Sequence, residues 1–599
     1  MITLDPTEVR HEQAILVDLQ ETQYLDGLTL VPRDPRATTA LRKTLGERFG
    51  GVPTRRVAEG IWIPSRYTPL LKTLGPEVRI NWTDAASRFV ENRMHTQEAY
   101  PRVLQEVREI IQGGATSARE RLLGTRGLEV LDDHQLVNVA AMTVKDGFGL
   151  CIFDEQGAGK TVTLIHAFDV LVAKDEVDFA LIIAPKSMTP EWPRDFERFT
   201  GDQYPTVVLT GSHRAKAQAL GSKPEVVITN FETAISMEAE LAATLRWHRG
   251  RSILVVDESF FIKNPDAKRA RSIRRLREDT GRAFVLCGTP APNSPHDLVE
   301  QFNFVDFGIT FDGVNIPDDR ATALPIIRQA VEERGLFVRH LKQDVLPELK
   351  EKRFKKVIVT LEPLQAKIYN QALQNLVADL KAVDDRGFAR QMMSFLEKRS
   401  ALLQICSQPT SIVEGYSEIP AKLQALDGLL HELVEVQKEK VVLWSFYTAS
   451  IDALMARYSR YHPVRYDGTV SDIQDRREAV RSFQDDDHSM LFVGNPAAAG
   501  AGITLHRARY AIYESFSNQA AHHLQSLDRI HRRGQRFEVE YLMILCEGTL
   551  EIAEYERLVR KELDSQRLLG DDVETPVTRQ AMLEEAILSL KSLQGRHLP

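Results

Sequence analysis

Short apolar runs alternate with amphipathic helical patterns from about Leu128 onward. Each run is too short for a helix and is apolar on both faces, as is typical of a buried strand in a parallel sheet. One series of runs comprises residues 150–153, 180–184, 226–228, 253–256 and 284–286. A second series comprises residues 441–444, 490–493, 510–513 and 541–545. The pattern therefore predicts an α/β protein with two doubly wound lobes, each with helices on both faces of its sheet.

The pattern changes before and between the two lobes. Residues 365–381, 387–405 and 422–436 show helical periodicity, which predicts a helical insert. The first 125 residues mix strand-like runs at 14–19, 60–63 and 78–82 with a helical pattern over 83–112, which predicts a small α+β domain. We therefore divide the chain into an N-terminal accessory domain at 1–125, a first lobe at 126–335, a linking and helical insert at 336–437, a second lobe at 438–565 and a C-terminal helical tail at 566–599.

Composition narrows the class of protein. A formal charge of −8 excludes a uniformly basic protein around which nucleic acid wraps. It does not exclude local basic patches that bind nucleic acid. The four cysteines are far apart and form no CxxC pair, which argues against a zinc finger or a disulfide framework. Asp5, Glu8 and Glu12 stand where a signal peptide needs basic and then apolar residues, and no apolar run approaches the ~20 residues of a membrane span. We therefore expect a cytoplasmic protein with no membrane partner.

Residues 154–161, between the first strand and the next helix, read Asp-Glu-Gln-Gly-Ala-Gly-Lys-Thr. This is the context of a phosphate loop, in which glycines let backbone N–H groups and the helix N-terminus surround phosphates. Lys160 would reach the β and γ phosphates of ATP, and the Thr161 hydroxyl would ligate Mg²⁺. Asp154 occupies the position of the first glycine in the strict motif. The alternative is a glycine turn that only opens a helix.

Two acids, Asp257 and Glu258, follow the strand at 253–256 and so lie at the same sheet edge as the loop. One acid can hold Mg²⁺ and the other can orient an attacking water. Such a pair is often only solvated or capping, but the upstream phosphate loop favours the catalytic interpretation.

Residues 525–535, in the second lobe, read Gln-Ser-Leu-Asp-Arg-Ile-His-Arg-Arg-Gly-Gln. On a helix Arg529 and Arg532 would share a face, and on lobe closure they would act as arginine fingers toward the transferred phosphate. The alternative is a basic helix that is solvated or that touches nucleic-acid phosphates. A second basic run follows the acid pair and fits either a DNA backbone or a solvated face; it comprises Lys263, Lys268, Arg269, Arg271, Arg274, Arg275 and Arg277.

These motifs, in their order, resemble the superfamily-two helicases, and specifically the SWI/SNF-type branch of double-stranded DNA translocases. The resemblance runs from about Leu128 to Lys561. Besides the three segments above, it rests on residues 134–136, 184–187 with Trp192, 228–232, 286–293, 339–347, 403–406 with Pro409, 466–469 and 500–505. It implies two tandem RecA-like lobes, with ATP and Mg²⁺ as cofactors.

The resemblance also implies roles for individual residues. The catalytic set would be Lys160, Thr161, Asp257, Glu258, Arg529 and Arg532, with Thr161 and Asp257 as the metal ligands. The ATP-binding set would be Gln135, Glu155, Gln156, Gly157, Ala158, Gly159, Lys160, Thr161 and Gly502. The nucleic-acid-binding set would be Lys186, Ser187, Thr229, Asn230, Lys263, Ser445, Gly468, Thr469 and Thr504.

Two departures from the family matter. The chain reads Asp-Glu-Ser-Phe at 257–260 where the family has a histidine fourth, so Phe260 replaces the residue thought to link nucleotide to the other lobe. The insert carries no recognisable chromatin-reading module, which favours a compact bacterial or phage enzyme.

In the first domain, residues 60–67 are faintly similar to the recognition module that precedes the motor in annealing-helicase relatives. We favour core packing for Trp62 and Tyr67 there, with substrate recognition as the alternative.

The resemblance implies an ATP hydrolase that moves along or remodels double-stranded DNA or protein–DNA complexes, gripping the phosphate backbone without reading sequence. One alternative is a strand-separating or annealing helicase on branched or single-stranded DNA or on RNA. Another is a nucleotide-gated DNA-binding subunit of a larger assembly without efficient hydrolysis, as Phe260 suggests. No nuclease motif is visible, so cutting or modification would come from a partner nuclease, methyltransferase, or replication, repair or defence protein.

Overall fold

The computed structural model of the chain describes residues 15–21, 27–48, 50, 52, 54–57, 60–64, 67, 70–71, 74, 78–125, 127–291, 294–470, 472–498, 503–516, 520–566 and 579–594. The chain forms two compact units, residues 1–155 with 159–340 and residues 341–599 with 156–158. Among the described helices, none combines the length and the apolar composition that a bilayer crossing requires.

The first unit holds a small sheet, a large sheet and the helices that cover them. Its elements are β1 (Ile15–Glu21), β2 (Gly27–Pro32), α1 (Thr38–Arg48), β3 (Arg55–Val57), β4 (Gly60–Pro64), β5 (Val78–Trp82), α2 (Asp84–Arg121), α3 (Asp133–Met142), β6 (Gly149–Ile152), α4 (Lys160–Ala173), β7 (Phe179–Ile183), α5 (Trp192–Thr200), β8 (Thr206–Val208), α6 (His213–Gly221), β9 (Val226–Thr229), α7 (Phe231–Ser236), α8 (Glu238–Trp247), β10 (Ser252–Asp257), α9 (Lys268–Glu278), β11 (Arg282–Leu286), α10 (Val299–Asp306), α11 (Arg320–Arg334) and β12 (Phe337–Val338).

The second unit holds one sheet and two groups of helices. Its elements are α12 (Lys342–Val345), β13 (Lys352–Val359), α13 (Pro363–Ala382), α14 (Asp385–Ser407), α15 (Ala421–Leu430) with a π turn at His431–Val436, β14 (Val441–Trp444), α16 (Thr448–Arg457), β15 (Val464–Tyr466), α17 (Ile473–Asp485), β16 (Leu491–Gly494), β17 (Tyr510–Tyr513), α18 (Ala520–Leu527), β18 (Val539–Cys546), α19 (Leu550–Gln566) and α20 (Arg579–Gln594).

The N-terminal sheet has the order β3-β4-β2-β1-β5, with β5 parallel to β1 and the other pairs antiparallel. Leu28, Leu30, Ile61 and Ile63 lie on one face and bury themselves against α1 and the start of α2. Tyr67 packs against the same core. A small α+β domain is therefore present, as the sequence predicts.

Helix α2 belongs to the core of the first lobe as well as to the small domain. Tyr100, Val103 and Val107 are buried among residues of the large sheet and its helices. The Tyr100 hydroxyl lies 3.1 Å from the Thr310 hydroxyl, and the buried Arg93 forms an ion pair of 2.9 Å with the half-buried Asp312. A truncation that leaves the first-lobe core intact must therefore end before α2, well ahead of the boundary at residue 125 that the sequence suggests.

The large sheet of the first unit has seven parallel strands in the order β12-β6-β11-β10-β7-β9-β8. Every residue of β7, β10 and β11 is buried, because helices cover both faces. The carboxyl ends of the parallel strands meet at one edge, and the loops after β6, β7, β9 and β10 all begin there. This edge is where the predicted nucleotide loop and acid pair lie.

The second unit has six parallel strands in the order β13-β18-β17-β14-β16-β15. Helices α13 and α14 form the predicted helical insert, and α20 packs on them through Met582 and Ala586. A buried ion pair of 2.6 Å between Arg399 and Glu554 joins α14 to α19. The prediction of two tandem doubly wound lobes with a helical insert is confirmed.

Two segments of the predicted linker are strands. Phe337–Val338 is the edge strand β12 of the first sheet, and Lys352–Val359 is the edge strand β13 of the second. The first lobe thus extends to about His340, beyond the predicted end at residue 335.

Candidate active site

The phosphate loop connects β6 to α4 and begins the helix with a glycine. Gly157 and Gly159 have φ of +89° and +91°, in the left-handed region that favours glycine. A Cβ on Gly159 would also lie 2.2 Å from Gln135 Nε2. The positive φ favours glycine at position 159, and a larger residue would also displace the Gln135 amide. The N–H groups of the first turn of α4 lie at the end of the loop.

Asp154 anchors this loop from beneath. Its carboxylate is fully buried and accepts hydrogen bonds from the side chain of Asn138 and from both the backbone N–H (2.9 Å) and ring Nδ1 (2.8 Å) of His340. Burial alone would raise the pKa of Asp154, but these bonds and the nearby Lys160 lower it. The residue that replaces the strict motif's first glycine is thus a charged anchor.

Lys160 is folded back along the loop. Its Nζ donates to the carbonyl oxygens of Asp154 (2.8 Å) and Glu155 (3.3 Å). Thr161, the next residue, lies half-buried in the first turn of α4. The cation and the hydroxyl are therefore adjacent at the helix N-terminus, as phosphate binding requires.

Asp257 and Glu258 end β10 at the same edge and are both buried, each about 4% exposed. Asp257 accepts hydrogen bonds from the Glu258 backbone N–H (2.9 Å) and from Trp192 Nε1 (3.3 Å). Burial and the neighbouring Glu258 raise the pKa of Asp257 to about 7, while Lys160 opposes the shift. Two buried carboxylates that repel each other, beside a threonine hydroxyl on the same edge, form a donor set of hard oxygens suited to Mg²⁺.

The sequence marks Trp192 only as part of a motif, and the structure gives it a definite contact. It begins α5, is almost fully buried and holds Asp257 through the indole N–H. Phe260, which stands where the family has histidine, instead stacks on Phe261 with ring centroids 4.6 Å apart. Phe261 in turn lies 5.1 Å from Phe231. An aromatic cluster therefore occupies the place of the missing imidazole.

Gln135 is buried in the first turn of α3, close to the loop. Its Oε1 accepts the backbone N–H of Asp132 at 3.0 Å, which completes a capping box. The structure thus brings Gln135, Lys160 and the acid pair into one unit. Glu155 belongs to the same unit, and residues 156–158 are grouped with the second.

The predicted nucleic-acid-binding residues of the first unit differ in solvent exposure and in how many of them already contact other parts of the protein. Lys186 is exposed and Ser187 half-buried after β7. By contrast Thr229 is fully buried, the Asn230 side chain caps α7 by accepting from the Thr233 N–H (2.8 Å), and Lys263 forms an ion pair of 3.1 Å with Asp297. The last three are engaged in structural contacts.

The basic run on α9 is divided in the same way. Arg274 forms a buried ion pair of 2.7 Å with Glu300, and Arg275 pairs with Glu238. Arg277 is buried and donates to backbone carbonyls, including those of Phe304 and Phe148. The structural interpretation holds for these three arginines. Lys268, Arg269 and Arg271, nearer the carboxyl edge, form no ion pair within the described part of the chain.

In the second unit the arginine segment is a turn. We expected both arginines on a helix, but α18 ends at Leu527 and residues 528–535 form an irregular turn with Gly534 at φ +99°. Arg529 is almost fully buried and Nη1 donates to the Ile503 carbonyl at 3.4 Å. Arg532 is half-buried, with Nε on the Asp528 carbonyl (3.0 Å) and Nη1 on the Thr504 hydroxyl (3.3 Å).

The remaining predicted residues lie near this turn or elsewhere in the second sheet. Ser445 is fully buried and donates to Glu514 at 2.8 Å, so its hydroxyl is already bonded. Thr469 donates to Asp467 through both its N–H (2.9 Å) and its hydroxyl, beside the exposed Gly468. Gly502 lies outside the described residues.

A phosphate loop and an acid pair in one parallel-sheet unit, with an arginine turn in a second, define a helicase-like ATPase. Residues 132–411 match the SNF2-related domain, and residues 421–534 match the helicase conserved C-terminal domain. The chain belongs to the SWI/SNF-type family of superfamily-two ATPases, and the resemblance inferred from its motifs is confirmed.

Relatives span several organisms. An ISWI chromatin-remodeling complex ATPase of Saccharomyces cerevisiae is 27% identical, over 71% of this chain and 39% of the relative. An uncharacterized ATP-dependent helicase of Mycoplasma pneumoniae is 26% identical, over 71% of this chain and 40% of the relative. This chain therefore matches about two fifths of the length of these curated relatives. A solved Sulfolobus solfataricus SWI2/SNF2 ATPase core in complex with dsDNA is 21% identical, with a TM-score of 0.34 over 73% of this chain and 93% of that one.

Asp154→Asn tests the anchor beneath the loop. The amide replaces one accepting oxygen by a donor, which would face the N–H groups of His340 or Asn138. We expect a loss of about 1–3 kcal/mol of stability and weaker binding of a fluorescent ATP analogue. Thermal unfolding and fluorescence titration measure the two effects. Asp146→Asn, at an exposed ion pair with Arg102, is the matched control and should change neither. An Asp154→Asn protein with the parent's melting temperature and affinity would refute the anchoring role.

Proposed function

We propose that this chain is a Mg²⁺-dependent ATP hydrolase that drives movement along double-stranded DNA. The observation that carries the proposal is the convergence of Lys160, Asp257 and Glu258 at one sheet edge of a SWI/SNF-type unit. A phosphate loop alone binds nucleotide, but a loop beside two buried carboxylates also has the groups that hold a metal and orient water.

Each group has a distinct task in this proposal. Lys160 and the N–H groups of α4 bind the β and γ phosphates, and Thr161 with Asp257 holds Mg²⁺. The metal, when bound, neutralises charge on the phosphate oxygens. Glu258 orients the attacking water. Of the two arginines, Arg532 retains exposed surface whereas Arg529 is buried, so we assign the phosphate contact to Arg532 and a supporting part to Arg529.

Duplex DNA is the proposed substrate along which the protein moves. Four cations near the carboxyl edge of the first-lobe sheet are proposed to bind its phosphates. Lys186 follows β7, while Lys268, Arg269 and Arg271 occupy the start of α9, which follows β10. None of the four forms an ion pair within the described part of the chain; Lys186 and Lys268 are exposed, Arg271 is half-buried, and the Arg269 guanidinium lies 5.4 Å from the centre of the Phe261 ring. Contacts of this kind fix position on a backbone without reading base sequence.

Phe260 favours one other function, a nucleotide-gated DNA-binding subunit with little turnover. Its ring stacks on Phe261 and offers no hydrogen bond with which to couple nucleotide to DNA. This alternative predicts tight ATP binding and no DNA-stimulated hydrolysis, so the two functions separate in a single assay.

Substitutions in the loop and the acid pair test hydrolysis. Lys160→Ala should abolish it by removing the cation at the phosphates, and Glu258→Gln should leave ATP bound but lower turnover by at least about 10²-fold. Lys174→Ala, at the other end of α4, is the control and should retain the parent rate. Release of phosphate and ATP affinity are measured for each protein. Parent-like hydrolysis by Glu258→Gln would show that Glu258 does not orient water.

Salt dependence tests the DNA grip. Duplex DNA should stimulate hydrolysis, and DNA affinity should fall linearly with salt on a log–log scale, by about 0.9 per phosphate neutralised. Lys268→Gln and Arg271→Gln should each reduce that slope by about 1. Arg275→Gln lies on the same helix but is paired with Glu238, so its slope should stay near the parent value. Stimulation by single strands or RNA but not by duplex would support the strand-separating alternative.

The N-terminal sheet is proposed to recognise DNA structure through Trp62. Ile61 and Ile63 face the core, so Trp62, between them on β4, lies on the opposite face, half-buried. Our preference for core packing fits Tyr67 but does not fit Trp62. Thr29, the cross-strand neighbour of Trp62 on that face, is buried, so the part of the indole that stays exposed is the part proposed to stack on an unpaired base.

Trp62→Ala separates stacking from packing. If the ring stacks on a base, affinity for forked or gapped DNA should fall by about 1–3 kcal/mol with little change in melting temperature. Ile61→Ala, one residue away in the core, is the control and should lower stability by about 2–5 kcal/mol. A melting loss for Trp62→Ala as large as that for Ile61→Ala, with DNA affinity unchanged, would make the ring structural.

A further inference from the structure

The arginine turn contains a buried acid held by two lysines. Asp528, immediately before Arg529, is 6% exposed and accepts from Lys342 Nζ at 2.7 Å and from Lys352 Nζ at 3.1 Å. Burial would raise the pKa of Asp528, but the two ammonium groups hold it well below its usual range. The carboxylate is therefore charged at neutral pH.

Lys342 contacts this turn at two points. Besides the Asp528 carboxylate, its Nζ donates to the backbone carbonyl of His531 at 3.2 Å. Asp528 and His531 directly precede Arg529 and Arg532 in the chain. One ammonium group thus fixes the backbone just ahead of each arginine, and it does so from α12, which is almost 200 residues away in sequence.

The turn has no helix to hold it in place. Residues 528–535 follow the end of α18 at Leu527, so intrahelical hydrogen bonds do not set the directions of the two arginines. The Asp528 carbonyl accepts Arg532 Nε at 3.0 Å, which ties the second arginine to the same residue that Lys342 binds. The position of Arg532 therefore depends on the position of Asp528.

General stability is a poor reason for such an arrangement. Two ammonium groups and one carboxylate are removed from water here, and apolar replacements of buried ion pairs are often as stable. What a charged triad provides is one fixed geometry, because only one arrangement satisfies the short bonds from both lysines.

We propose that Lys342 is a positioning residue for ATP hydrolysis, acting through Asp528 and His531 to set the arginine turn. The inference rests on the proposed function of Arg532 at the phosphate. Lys342 itself touches no nucleotide in this proposal and acts through the arginine turn. Its Nζ also lies beside the phosphate loop, 3.6 Å from the place of a Cβ on Gly157, so a loss that appears in KM for ATP would report an effect on the loop instead.

The unit offers a matched structural control. Lys422 is fully buried and bonded to Glu551, which accepts the Cys546 N–H at 2.9 Å. Lys422→Met and Lys342→Met each remove one buried ammonium group and keep the apolar stem. Both should lower the melting temperature, but only Lys342→Met removes a contact with the arginine turn.

The experiment measures the melting temperature of both variants. At a temperature well below both melting temperatures, it measures kcat and KM for ATP. Lys342→Met should lower kcat by about 10²-fold or more, with KM changed by less than about threefold, because the lost contact acts on transition-state charge. Lys342→Arg, which restores a donor, should recover most of the rate. Lys422→Met should keep the parent kcat. Equal losses of kcat in Lys342→Met and Lys422→Met would overturn the proposal.

A double-variant cycle with Arg532→Ala shows whether Lys342 acts through the arginine. If it does, the double variant should hydrolyse no more slowly than Arg532→Ala alone; multiplicative losses would overturn the proposal. Parent-like hydrolysis by Arg532→Ala would refute the proposed role of that arginine, whatever Lys342 does. If Lys342→Met does not fold, Asp528→Asn weakens the same contact by removing the carboxylate charge while keeping the size of the side chain, and it is subject to the same criteria.

Discussion

The Asp154 carboxylate is the constraint on which the nucleotide-binding half of the protein depends. It joins three segments that are distant in the chain: α3 through Asn138, the loop after β6, and the residue His340 that follows β12. A fully buried carboxylate must be completely paired, so each of these segments is held where its donor can reach the acid. The phosphate loop is thereby held in place by contacts within the protein itself, which is the preorganisation that a binding site requires.

The buried arginines at the amino edge of the first sheet have a structural role. At the amino edge of the first sheet, a cleft of about 810 Å³ is lined by arginines and lysines. Two of them, Arg277 and Arg282, donate to the backbone carbonyls of Thr280 and Val144, in turns at this edge. Burial lowers the pKa of Arg277 to about 9, yet its bonds to carbonyl oxygens remain.

The sequence located the candidate catalytic groups better than it located their supports. A glycine loop before a helix and two acids after a strand have local signatures, and the structure has Lys160, Asp257 and Glu258 at the one sheet edge where these signatures predict them. The arginine turn was predicted as a helix, because residue spacing cannot show that Lys342 and Lys352 bind Asp528 from distant segments. The bond from Trp192 to Asp257 was missed for the same reason: long-range pairing leaves no local pattern.

The strands of the two large sheets show the same difference between what the sequence predicts and what the tertiary structure decides. The nine strands predicted in the two lobes correspond to β6, β7, β9, β10, β11, β14, β16, β17 and β18, all of them interior to their sheets. The four missed strands, β8, β12, β13 and β15, are the four sheet edges. An interior strand is covered on both faces and must be a continuous apolar run, which the sequence shows directly. An edge strand such as Lys352–Val359 is partly exposed and polar, so its strand conformation comes from pairing with β18, which only the folded chain supplies.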